Sequence, residues 1–302
     1  MMTPVSPASV PPALLAVEER FSWSWEGVDI TCPLTRRGEG PLALLLPALS
    51  SISTRSEMQP LQARLAERFE TVAPDWPGFG TKAKPRVDWT PQAMAAWLDH
   101  VLTQVAPQPS LIVAAGHAAG YLLRHFSEHP ESTGRAVLVA PTWRGPLPTM
   151  MGRRPPWLAR VRRTMDLPVI GPALYALNLN PLVIGRMAKG HVYSDPQWLT
   201  HKRMVRKRAV ARASGARFAS VRFVTGALDP FETAEDAQAA AAALPKDKLA
   251  FVWGDDTPRK SKAAMAALAE AAGVAPEVLP SGKLALHEEF ADDLADLILH
   301  RP

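Results

Sequence analysis

The segment richest in potential chemistry is Gly116-His117-Ala118-Ala119-Gly120. It follows the apolar run Leu111-Ile112-Val113-Ala114-Ala115 and precedes the helix-patterned Tyr121-Leu122-Leu123-Arg124-His125-Phe126. A strand, a sharp turn and a helix in that order form a nucleophile elbow, G-x-S-x-G, where small residues let the chain reverse without a Cβ clash. Ala118 stands where the serine belongs. A methyl group has neither a lone pair nor a transferable proton, so acyl-enzyme chemistry at Ala118 is excluded. The turn is expected to persist for steric reasons with its nucleophile lost.

Other side chains can move protons. Asp255 and Asp256 follow Trp253-Gly254, Lys283 and His287 lie near the C-terminus, and Asp229 sits in Thr225-Gly226-Ala227-Leu228-Asp229-Pro230. If these groups meet at strand ends, acid/base chemistry without a covalent intermediate is open, because a desolvated lysine can titrate near neutrality. Each also has a plainer reading. Asp229 and Asp256 precede or approach prolines and suit turns or helix caps, Lys283 suits a solvated loop, and His287 suits a helix start. His117 reads as a packing residue of the elbow, and Cys32 as a small residue in a strand. A lone cysteine excludes an intramolecular disulfide. The histidines read as scattered, and neither G-x-G-x-x-G nor G-x-x-x-x-G-K-[ST] occurs, so no metal and no cofactor are expected.

The elements that must position these groups alternate. Phe21 to Thr31 suggests paired strands, and Leu42 to Leu46 a buried strand. Arg55 to Phe69 is helical, with Met58, Leu61, Leu65 and Phe69 on one face. Thr71 to Ala73, Leu111 to Ala115 and Ala136 to Ala140 read as strands, with helices over Pro91 to Val105 and Ala119 to Glu128. After Pro141 the rhythm breaks for a proline-interrupted, mostly helical stretch. It resumes with helix Ala234 to Leu244, strand Leu249 to Trp253, helix Ser261 to Ala272 and strand Glu277 to Leu279. Strand-helix alternation means a mostly parallel sheet covered on both faces, with functional groups at the carboxyl ends of the strands. The expected organisation is a tail over 1–18, an α/β core over 19–142 and 218–302, and a basic helical lid inserted over 143–217.

With these motifs in order, the chain from about Phe21 onward resembles the α/β-hydrolase superfamily. Asp75-Trp76-Pro77-Gly78-Phe79-Gly80 looks like the family's D-x-x-G-x-G loop, and it joins the elbow and the Trp253-Gly254 strand end in carrying the likeness. The resemblance implies an α/β-hydrolase fold with an oxyanion hole, formed here by the backbone N–H groups of Leu49 and Ala119. Departures from the family pattern fall on all three triad positions. Ala118 occupies the nucleophile position, Thr257 the usual acid position, and Lys283 the usual histidine position with Glu288 at the matching distance beyond, while outside the triad Pro47-Ala48-Leu49 replaces a His-Gly sequence. The expectation is therefore a protein without the Ser-Asp-His triad. It would bind a small, partly apolar ligand or a partner, or else act as a hydrolase- or lyase-type enzyme through displaced Asp256, Lys283 and His287.

Composition adds a further expectation. At 302 residues, 47% hydrophobic and 21% charged, the chain can bury a large core. The first residues lack the basic and apolar regions of a signal peptide, so cytoplasmic residence is expected. Between Gly152 and Arg217 there are 14 Lys or Arg against two acids, whereas the rest of the chain carries 20 against 27. Basic clusters interrupted by tryptophan and aliphatic residues suit a solvated helix face, an anionic small ligand or peripheral contact with an anionic membrane. Nucleic acid ranks last because no recognition motif accompanies the charge.

Overall fold

The structure is a computed structural model that describes residues 15–132, 134–178, 185–186 and 188–300. It begins with a hairpin, β1 (Val17–Trp25) against β2 (Val28–Arg37). Glu26 and Gly27 both have positive φ, 49° and 77°, which is the two-residue turn whose twist matches the flanking strands. Strand β1 therefore takes in Val17 and Glu18 from the expected tail, and residues 1–14 of that tail lie outside the described residues.

The remaining strands are β3 (Leu42–Leu46), β4 (Glu70–Pro74), β5 (Leu111–Ala115), β6 (Arg135–Val139), β7 (Leu249–Gly254) and β8 (Glu277–Leu279). They form one eight-stranded sheet in the order β1-β2-β4-β3-β5-β6-β7-β8. The pairings of β1 with β2 and of β2 with β4 are antiparallel, and all others are parallel. Continuous apolar runs such as Leu42 to Leu46 are what a strand covered on both faces requires.

Alternate residues of those runs serve two cores. Leu44, Leu46, Ile112 and Leu138 face α2 (Pro91–His100), α3 (His117–Glu128), α9 (Ala234–Ala242) and α10 (Arg259–Ala272). Ala43, Leu45, Val113 and Val137 face α1 (Gln59–Leu65) and α12 (Ala291–His300). The expected helix over Arg55 to Phe69 is shorter, with a 3-10 turn over Arg55–Met58 ahead of α1. Pro60 at the second helical position, where its missing N–H costs nothing, explains where α1 starts.

Between β6 and α9 the chain makes a helical insertion: α4 (Pro146–Met151), α5 (Trp157–Asp166), α6 (Ile170–Asn178), α7 (His201–Arg212) and α8 (Ala216–Val224). Residues 179–184 and 187 of the expected lid lie outside the described residues. Arg222 on α8 bridges to Asp166 on α5 and to the exposed Asp88 at 2.9 and 2.7 Å, joining the insertion to the loop before α2.

Candidate functional site

The sharp turn after β5 is made by Gly116. Its φ of 54° and ψ of −123° put it in a conformation that side-chain-bearing residues seldom adopt, and α3 starts at the next residue. A Cβ on Gly116 would stand 3.3 Å from the Ala48 Cβ, so a side chain there would project toward the loop after β3. Ala118, expected at the turn, instead lies fully buried in the first turn of α3, packed into the larger core. The motif is thus shifted by two residues, with Ala114 and Ala118 as the small flanking positions and Gly116 between them. Gly120 serves close packing and not the turn, since a Cβ there would come within 2.9 Å of the Thr142 carbonyl and of Pro230.

The shift also changes the oxyanion geometry. The Ala119 N–H donates to the Gly116 carbonyl at 3.2 Å and so is already engaged, which removes it from the expected hole. The first N–H groups of a helix have no intrahelical acceptor, and His117 is the residue that directly follows the turn. Leu49 remains beside the turn in the loop Pro47-Ala48-Leu49, fully buried, with the loop held by Trp76 donating to the Pro47 carbonyl at 3.0 Å.

The expected acid/base residues do not come together. Asp256 accepts from the Gly282 N–H at 3.2 Å, in a segment where the backbones of Gly254 and Gly282 touch. Thr257 is buried beside it. Asp255 pairs with Lys262 at 2.5 Å on the surface. Lys283 reaches across to the Lys189 carbonyl in the insertion at 2.9 Å. Asp229 is buried and accepts from the Gly145 N–H at 2.7 Å and from Arg154 at 2.6 Å, so it ties the start of the insertion to the core. Burial raises its pKa, against the lowering effect of His117 and Arg154. His117, 3.7 Å from Asp229 and bonded to the Leu228 carbonyl at 2.9 Å, is buried, and its pKa is lowered by that burial despite the nearby carboxylate. Cys32 sits in β2, where burial pushes its thiol up to about 12, so it is unreactive at neutral pH.

His287, on the short helix α11 (Leu286–Glu289), meets a different partner. Its Nε2 lies 3.5 Å from the carboxylate of Glu57, in the 3-10 turn after β3, and both residues are buried. Glu57 also pairs with Lys207 of α7, whose ammonium reaches Glu288 at 2.9 Å, and the Tyr193 hydroxyl donates to Glu288 at 2.7 Å. The neighbouring Arg55 is fixed by Asp75 at 2.6 Å, and Asp75 also accepts from Thr54 and from the Arg55 N–H, so the turn carrying Glu57 is pinned to the end of β4. Burial alone would raise the Glu57 pKa, but Lys207 and His287 outweigh it and hold the carboxyl below its ordinary value. Burial works against the Lys207 charge too, and the two glutamates reverse it, raising its pKa. The result is a buried, charged cluster joining core and insertion.

A sequence model described as "Alpha/beta hydrolase family" matches residues 43–297, most of the chain. The chain belongs to the alpha/beta hydrolase family. A hydrolase for 2-hydroxy-6-oxo-6-phenylhexa-2,4-dienoate from Rhodococcus sp. strain RHA1 superposes with a TM-score of 0.71 at 19% identity, covering 94% of this chain and 98% of that one. Cfl2 from Burkholderia cenocepacia gives 0.69 at 18% identity over 96% and 97% of the two chains. At those identities the likeness is one of fold. An uncharacterized protein of Mycobacterium tuberculosis strain H37Rv is 30% identical over 103 residues, which span 34% of this chain and 30% of that protein.

For a member of the alpha/beta hydrolase family, the residues that sequence reasoning missed are informative. Glu57, Tyr193, Lys207 and Glu288 have no motif of their own. Lys207 sits in the run Lys202-Arg203-Met204-Val205-Arg206-Lys207-Arg208, where only its spacing of three and four from Val210 and Ala211 marks the inward face of α7. Glu288 carried a weak signal, its distance from Gly282.

Proposed function

We propose that this chain is a non-hydrolytic member of its family that binds a small, partly apolar ligand or a partner where the insertion meets the carboxyl ends of the strands. The observation that carries this reading is the glycine at the turn between β5 and α3. No side chain there can attack a carbonyl, and His287, the buried histidine near the family's C-terminal histidine position, is committed to Glu57. Displaced acid/base catalysis through Asp256, Lys283 and His287 gains no support, since each bonds elsewhere. The preference for a partly apolar ligand rests on two small apolar groupings beside the charged cluster: Ile52 with Tyr175, Met204 and Ala211, and Tyr193 with Ala285, Val192 and Trp198. Incubation with p-nitrophenyl acetate, butyrate and octanoate should give neither a burst nor steady release above buffer. Turnover that survives repurification and disappears on His287→Ala overturns the reading.

A second reading, which places the protein in the cytoplasm at an anionic membrane surface, is favoured by one observation. Trp157 on α5 and Ile170 and Leu177 on α6 are 48, 51 and 73% exposed, and Val169 between the helices is 82% exposed, alongside the exposed Arg153, Arg160 and Arg163. Apolar side chains rimmed by arginine suit the headgroup boundary. Among the described residues no helix is long and apolar enough to cross a membrane. Co-sedimentation with phosphatidylserine-containing vesicles, weakened by salt and by Trp157→Ala, is expected. Equal behaviour with pure phosphatidylcholine vesicles refutes it.

A further inference from the structure

We infer that Asp99, His125 and His129 form a binding site for a divalent transition-metal ion of the zinc class, at the end of α3 remote from the turn. His125 lies in the last turn of α3 and His129 caps its C-terminal end, with the two rings 4.7 Å apart, and Asp99 faces them from α2. Their separation from Gly116 is nine residues or more, roughly 13 Å along the helix at 1.5 Å per residue, which makes this a place distinct from the site described above.

The donor atoms already converge. One ligand atom from each residue lies within 4.8 Å of the others. The Asp99 carboxylate is 2.6 Å from His125 Nδ1 and 4.0 Å from His129 Nε2. Bonds of 2.0–2.1 Å in tetrahedral geometry place ligand atoms about 3.3 Å apart, so the first distance must open and the second close by well under 1 Å each. Asp99 and His129 are half-exposed, which leaves rotamer freedom for both movements. His125 is buried and stays in place while Asp99 draws back and His129 moves in.

The outward nitrogens give an independent argument. His125 Nε2 is 3.1 Å from the Ser132 hydroxyl, and His129 Nδ1 is 3.4 Å from the Glu131 carboxylate. The 2.6 Å contact is a hydrogen bond from His125 Nδ1–H to Asp99; metal binding replaces that proton, with Nε2–H then donating to Ser132, which can accept as well as donate, and the Glu131 carboxylate behind His129 raises that ligand's basicity. Three protein ligands of N, N and O type leave a fourth position to water, a set that suits Zn²⁺ or Co²⁺ over Ca²⁺ or Mg²⁺. Bound there, the ion would clip the end of α3 to α2.

Cobalt is the direct probe because its visible spectrum reports coordination. Tag-free full-length protein, freed of metal by chelator and dialysed, should bind one equivalent of Co²⁺ with the intense visible bands of four- or five-coordination, and one equivalent of Zn²⁺ should displace it. His129→Ala, on a half-exposed residue, should keep the far-ultraviolet dichroism of the wild type while weakening Co²⁺ binding at least tenfold, and Asp99→Asn should do the same. Wild-type protein that binds no Co²⁺ at millimolar concentration, or that binds it with a spectrum and affinity unchanged in both variants, overturns the assignment.

Discussion

The turn at Gly116 and the cluster around Glu57 both belong to the strand ends where a member of this family would do chemistry, yet they are built from opposite kinds of residue. The turn is alanine and glycine packed to closure: Ala114, Ala115, Ala118 and Ala119 are wholly buried in apolar surroundings. The cluster is two carboxylates, an ammonium, an imidazole and a phenol, held in a place that desolvates them. What remains at the turn is a steric demand, since β5 must still reverse into α3. What remains at the cluster is charge, and that charge spans from the core to the insertion instead of toward the turn. The turn's backbone path and the ionisable groups are therefore separate features of these strand ends, and the ionisable groups join core to insertion as a clamp.

Removing the clamp's cation puts that contrast under the greatest load. Lys207→Met leaves Glu57 and Glu288 facing each other in a buried site, and stripping one partner from a buried ion pair costs about 3–5 kcal/mol. Urea unfolding measures it, and a loss under about 1 kcal/mol, the worth of an exposed pair, would mean that the cluster is solvated. Adding Glu57→Gln to Lys207→Met should recover part of the loss, because the double variant no longer buries the uncompensated Glu57 charge.

The same clamp has a pH signature. The Glu57 pKa is lowered on folding, so its contribution is complete above the ordinary value of 4.5 and is lost as pH falls through the still lower folded value. Lys207 is raised from its ordinary 10.5, so its contribution holds below that value and is lost only in stronger alkali. Acid unfolding followed by tryptophan fluorescence should therefore be steep below pH 4.5, and Glu57→Gln should flatten that limb by lowering the stability near neutrality toward its acid value.

How much of this was legible follows from what each feature is made of. Strands β3 and β5 have the boundaries that their apolar patterning suggests, because continuous burial leaves a continuous run of letters. The elbow was legible as a motif but misplaced by two residues. In Ala114-Ala115-Gly116-His117-Ala118-Ala119-Gly120 small residues recur so densely that two registers satisfy the same pattern, and only backbone geometry chooses between them. His287 could be named but its partner could not, since Glu57 lies 230 positions away and follows no motif. Lys207 was hidden by resemblance to its neighbours, for a lysine among six basic or apolar positions gives no sign of being the inward one. Asp99, His125 and His129 were obscured in a similar way: two of the three stand at the C-terminal end of α3, and the third comes from another element.

The register itself can be tested by two substitutions of small size. Gly116→Ala forces a side chain into φ of 54° and sets its Cβ 3.3 Å from Ala48, with an expected cost of about 1–3 kcal/mol for a strained backbone position. Thermal or urea unfolding reads it, and a neutral outcome would show that the turn is not held there.

Ala118→Ser is the milder change and the more decisive one chemically. Residue 118 is the second position of α3, where no helical carbonyl lies one turn back, so the expected cost is that of burying a small hydroxyl, about 1 kcal/mol. The chemical outcome matters more than the stability. If residue 118 were at the apex of the elbow, the new hydroxyl would stand at the strand ends, and p-nitrophenyl acetate would acylate it in a burst visible by mass spectrometry. With Gly116 at the apex, the same hydroxyl is enclosed in the larger core at the first turn of α3, out of reach of an ester. The variant should remain unacylated, and an adduct on residue 118 would return the nucleophile position to where the sequence pattern alone places it.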